Sequence, residues 1–298
     1  MDVIIWAHQA LYLFLSVVAL ALAVYGFQRT KFVDGQSTSK WWRRLRLPLP
    51  AQLGVRVRML WGGHMVAALI MALFSIANTL SNPETDPFWQ ADYAMFGLEF
   101  YLAVTGLLVL AGVVARDKGA GALDLVLSKP VDRWRLLRER LLPALAVYSI
   151  VCVLSVIFLR LVYEQLPVPK ALIVSLSTGL YLGMFGMTIA NVTQSELAGH
   201  GAGLVYWVFE AGFEGRFTAP FYLLIVSNQV DHPNLDLWDS PWIWLPVKIG
   251  LLLLSIWLFF INGWLLDAGP TRRRALTVLV ISFPIIFLFG WWLMPRLA

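Results

Sequence analysis

Five ionisable residues sit inside long apolar runs of this sequence: Glu99, Glu210, Glu214, Arg216 and Lys248. Charged side chains are costly in hydrocarbon and, where they occur there, face a protein interior or a water-filled path, so these five are candidates for an intramembrane polar gate, an ion site or a substrate contact. Glu210 and Glu214 are four apart and share one helix face. The same residues also allow plain internal ion pairing, with Arg216 or Lys248 as the cation. Other chemistry is sparse. His8, His64, His200 and His232 lack metal-ligand spacing such as H-E-x-x-H, so no metal site is expected. The lone Cys152 excludes an internal disulfide framework and a Cys-rich metal site. No Ser/His/Asp or Cys/His arrangement stands out, so no catalytic residue is assigned.

The elements that hold these residues are membrane spans. Charged residues make up 14% of the chain and hydrophobic ones 59%, whereas soluble domains carry roughly 25% charged residues. Apolar stretches of ~20 residues, the length that crosses a ~30 Å hydrocarbon core, recur at about 3–27, 59–80, 95–115, 142–163, 170–191, 201–227, 242–266 and 275–295. The expected fold is therefore an all-α, polytopic transmembrane bundle of about eight spans. The stretch 201–227 holds Glu210, Glu214 and Arg216 and reads either as a full span or as a shorter helix followed by a re-entrant turn. The stretch 3–27 lacks a basic leading region and has too long an apolar run for a cleaved signal peptide.

Charge sets the orientation. Of the 23 Lys and Arg residues, eight lie in 28–58, seven in 116–141 and three in 267–274, on alternate loops. The intervening segment 81–94 has none and carries Glu84, Asp86 and Asp92. By the positive-inside rule the basic loops are cytoplasmic, which puts both termini outside. Topology accounts for the basic patches, and no nucleic-acid partner is expected. The run Lys40-Trp41-Trp42-Arg43-Arg44-Leu45-Arg46 reads as an interfacial segment, a contact to membrane lipid or a partner, or a topology anchor. Gly179-x-x-x-Gly183 and Gly199-x-x-x-Gly203 have the spacing that lets membrane helices approach closely, within one chain or between two.

The loop between the third and fourth stretches carries a short amphipathic segment. Leu123, Val126 and Leu127 share a face, while Asp124 and Ser128 lie on another. Pro130 ends it, since residues before proline avoid helical geometry. Asp132 then reads as the N-cap of a helix running through Trp134 and Leu137 into the membrane. A short cytoplasmic helix between two spans suits docking onto a soluble partner.

These residues resemble the coupling region of the ABC transporter type-2 permease family. The acidic position is Asp117 and the glycine is Gly121, followed by Leu123, Asp124, Leu125, Val126, Leu127, Ser128, Pro130 and Val131, then Arg133-Trp134 and Leu136-Leu137. Ala122 stands where the family usually has Thr, and Glu139-Arg140 where Gly-Lys is common. The polar stretch Met187 to Ala198 is similar to the cytoplasmic break between the fourth and fifth core helices of such permeases. The resemblance implies a six-helix permease core over 59–266 with its coupling segment at 116–141. It leaves 1–58 as an extra N-terminal span with a basic interfacial segment, and 267–298 as an extra C-terminal span. It further implies one membrane subunit of an exporter in the bacterial cytoplasmic (inner) membrane. A second permease chain, in a homo- or heterodimer, and two copies of a cytoplasmic ABC ATPase subunit would complete it. ATP and Mg would bind that partner; this chain has no G-x-x-x-x-G-K-[ST] phosphate loop, and no cofactor or enzyme activity of its own is expected. Two other functions fit the same residues: an ion-coupled secondary transporter using Glu99, Glu210 and Glu214, and a non-transporting assembly subunit of a membrane complex.

Overall fold

The structure is a computed structural model that describes residues 63–80, 87–115, 133–213, 223–224, 241–266, 273–282, 284–285 and 288. The chain divides into two compact units, Met1–Ala67 and Ala68–Ala298; of the first, only residues 63–67 are described. The stretch 3–27, the run Lys40–Arg46, the segment Asp117 to Pro130 expected to dock a partner, and Glu214 and Arg216 lie outside the described residues.

Every regular element among the described residues is helical. The helices are α1 (Gly63–Leu80), α2 (Pro87–Leu110), α3 (Arg133–Val162), α4 (Val168–Thr193), α5 (Glu196–Phe213) and α6 (Pro241–Leu265), and residues 273–282 are helical as well. Four stretches are long and apolar enough to cross a membrane: Ala91–Leu110, Leu136–Val162, Val168–Thr193 and Trp244–Leu265. A chain with this composition and these helices is a helical membrane protein.

Local chemistry sets the boundaries. Pro241 and Pro169 fall where a missing N–H costs nothing, at the first position of α6 and at the second of α4, whereas Pro143 and Pro246 lie inside α3 and α6. Helix α4 ends on Gln194, the one non-glycine residue with positive φ among those described (φ 60°), whose N–H returns to the Ala190 carbonyl. The Ser195 hydroxyl then accepts the Ala198 N–H at 3.2 Å and caps α5. The cap explains why the sixth element starts at Glu196, earlier than the apolar run at 201 predicts. At 30 residues, α3 is about 45 Å long at 1.5 Å per residue, which carries its Arg-rich first turns beyond a hydrocarbon core. Leu154 and Leu161 on α3 are 61% and 77% exposed, the expected state of a lipid-facing flank.

Helix α4 is the hub: it packs most extensively on α2, then on α5 and α6, and also on α3. Close approach is what its glycines provide. A Cβ on Gly106 of α2 would strike the Gly179 backbone, one on Gly183 would lie 2.7 Å from the Gly106 carbonyl oxygen, and one on Gly199 would lie 2.5 Å from that of Gly186. Both small-residue pairs singled out in the sequence thus pack inside this chain, Gly179 and Gly183 on α2, Gly199 on α4 and Gly203 on the Leu107 side chain.

The contacts also fix direction. Gly106 meets Gly179 and Gly183, and Ala111 meets Gly186, so α2 and α4 run parallel. Thr178 bonds Lys248 and Asn191 bonds Asn262, so α4 and α6 run parallel. Helix α5 runs back along α4, with Gly199 at Gly186 and Tyr206 at Tyr181. Helix α1 runs back along α2, with Ser75 at Gly97 and Ala68 at Thr105. Successive helices therefore alternate in direction.

Candidate functional site

Glu99 on α2, Lys248 on α6 and Glu210 on α5 come together in the bundle, with relative exposures of 0%, 0% and 1%. An ammonium has three N–H donors, and all three of Lys248 are used. Lys248 Nζ forms an ion pair with Glu99 Oε1, donates to Thr178 Oγ1 at 2.8 Å and donates to the Leu223 carbonyl at 2.6 Å. Thr178 Oγ1 lies 3.3 Å from the same carbonyl and 2.9 Å from that of Val174. The Leu223 N–H donates to Glu210 Oε2 at 3.2 Å. The backbone of one residue, Leu223, thus ties the Lys248 ammonium to the Glu210 carboxylate.

That stretch of backbone is the unusual part. Leu223 and Leu224 form a turn, not a helix, yet are 0% and 2% exposed. Non-helical backbone at membrane depth needs partners from within the protein, and Lys248, Thr178 and Glu210 supply them. The depth follows from α4: Thr178 is ten residues from its start, about 15 Å along the axis. The Leu223–Leu224 turn therefore sits at the level of the charges.

Aromatic groups close the cluster. The Trp207 indole, 2% exposed, donates to the Phe100 carbonyl at 3.1 Å, and its ring lies 4.3 Å from that of Phe100, the neighbour of Glu99. Tyr181 and Tyr206 lie edge to face at 6.2 Å and both interact with Glu210. Lower on the same helices a second, neutral node joins α4 to α6. Asn191 Nδ2 donates to Asn262 Oδ1 at 2.7 Å, and Asn262 Nδ2 donates to Thr188 Oγ1 at 2.9 Å.

Of the five charged residues the sequence singles out, Glu99, Glu210 and Lys248 are described and converge; Glu214 and Arg216 lie outside the described residues. Lys248 pairs directly with Glu99, an ion pair of the kind the sequence allows, and is linked to Glu210 through the Leu223 backbone. Sequence reading missed Thr178, Trp207, Asn191 and Asn262. The two asparagines, amides deep in apolar helices, are the ones a search for intramembrane polar groups could have found. The arrangement is a buried polar clamp across four helices and one turn.

No family profile, no curated protein and no solved structure matches this chain.

Proposed function

We propose that this chain is the membrane-spanning permease subunit of an ATP-driven ABC exporter, with a type-2 permease core and about eight spans, in a bacterial inner membrane with both termini outside. The observation that carries this reading is the sequence pattern from Asp117 to Pro130, with Gly121, Leu123, Asp124, Leu125, Val126, Leu127 and Ser128 in register, between two apolar helices. The flanking helices support it. Helix α2 leads into the segment and α3 out of it, and both pack on the hub α4. A soluble ATPase pressing on that segment would load two helices that share one partner. Two such ATPases, holding ATP and Mg, would act on two permease chains. The Glu99–Lys248–Glu210 clamp would be the polar gate on the outer half of the path.

The deciding experiment is affinity purification of the tagged full chain in mild detergent, with identification of every co-purifying protein. A stoichiometric cytoplasmic ATPase is expected, and it should be lost when Leu123 and Asp124 are both changed to Arg. A chain that purifies alone, under conditions that keep other membrane complexes intact, would sink the reading.

The buried charge cluster favours one alternative, an ion-coupled secondary transporter in which Glu99 and Glu210 serve the coupling ion. Its signature would be transport driven by an ion gradient with no ATPase present, abolished by Glu210→Gln.

A further inference from the structure

Trp134 is the second residue of α3, directly beyond the segment 116–132. Its indole does not pack only on neighbouring α3 residues. It abuts Gly263 near the far end of α6, where an added Cβ would sit 2.8 Å from Trp134 Cε3 and nearer still to Cζ3 and Cη2. Phe259 and Phe260 flank the ring at 5.9 and 5.8 Å. Gly263 adjoins Asn262, which fastens α6 to α4 through Thr188 and Asn191. Beyond that point α6 is continuous, and it carries Lys248 fifteen residues before Gly263, about 22 Å along a rigid axis.

We infer that Trp134, seated on Gly263, is the contact that passes movement of the 116–132 segment to α6 and so to the Lys248 clamp. The inference rests on the permease reading but adds a route separate from the one through α2, whose Glu99 already meets Lys248. The added route runs from α3 to α6 through Trp134. Packed interiors respond to displacement by discrete repacking and not by smooth deformation, and a side chain set into a glycine notch is a contact with two such states, seated and unseated. An axial or rotational shift of α6 changes the Lys248–Leu223 bond, because that bond joins α6 to a turn outside it. Trp134 is a positioning residue in this scheme, acting on the clamp through α6.

The test is amide hydrogen exchange on the full chain purified with its ATPase, with and without Mg-ATP. In the wild type, ATP is expected to change exchange at residues 105–115 and at 241–252. Trp134→Ala should abolish the change at 241–252 and leave that at 105–115, with Trp134→Phe keeping most of both. Gly263→Ala, which displaces the ring without removing it, should mimic Trp134→Ala and serves if the latter does not fold. A response at 241–252 that persists in both variants overturns the inference and leaves the permease reading standing. A wild type that responds at 105–115 but not at 241–252 also overturns it. A wild type with no ATPase, or with no ATP-dependent change anywhere, removes the permease reading and the inference together.

Discussion

A lysine with all its donors engaged inside a membrane bundle is intolerant of change. Lys248→Met would leave the Glu99 carboxylate and the Leu223 carbonyl without their cation. Removing one partner of a buried pair costs about 3–5 kcal/mol, because the remaining charge stays desolvated. Thermal unfolding in detergent is expected to show this as a large drop in midpoint. The double variant Glu99→Gln/Lys248→Met should recover part of the loss, since no bare charge remains; a double variant no better than the single one would mean that the pair is not the coupled unit. The residues of this cluster differ in how visible they were in the sequence. Glu99, Glu210 and Lys248 stood out because ionisable groups in apolar runs are rare. Pairing with Lys248 was one reading of the carboxylates, but which one it takes was not legible, because that depends on α2 and α6 both lying on α4. Thr178 was hidden, since a membrane threonine ordinarily bonds back to its own helix, as Thr178 also does with Val174. Leu223 contributes only backbone, which leaves no side-chain signal to read.

At the scale of helices, packing without Cβ atoms holds the hub together. Gly106→Ala and Gly179→Ala should each cost about 1–3 kcal/mol by forcing backbones apart, read as lost thermal stability of the purified chain. Gly201 is the internal control: a Cβ there meets nothing within 4 Å. Gly201→Ala should be neutral or stabilising by up to about 1 kcal/mol through helix propensity alone. Equal losses at all three positions would show that the glycines matter for something other than close approach. Spacing marked Gly179 for close contact but not its partner Gly106, and period alone cannot say whether the partner helix belongs to the same chain. The sixth element shows a different limit. Apolar composition starts it at 201, whereas the Ser195 cap starts it at Glu196; hydropathy registers the bilayer, and hydrogen bonding decides where a helix begins.

For the molecule as a whole, alternation of direction makes a sharp prediction. The turn after α3 and the turn after α4 lie at opposite ends of α4, about 39 Å apart for 26 residues. In a Cys152→Ser background, Glu164→Cys should react with a membrane-impermeant thiol reagent on intact cells. Gln194→Cys should react only after permeabilisation. Labelling of both from one side would contradict the crossing. The four long apolar helices were legible because apolar runs are long; the role proposed for the 116–132 segment rests on resemblance alone. The Glu99–Lys248 pair has a consequence for biosynthesis. Its two members are separated by roughly 150 residues of synthesis, which at about 5–20 residues per second leaves Glu99 waiting on the order of 10–30 s for its ammonium. During that interval α2 is in the bilayer with a carboxyl group and no helix to receive it. The insertion machinery must keep the early helices together until α6 arrives, and a chain truncated after α5 should be degraded in the membrane far faster than one truncated after α6.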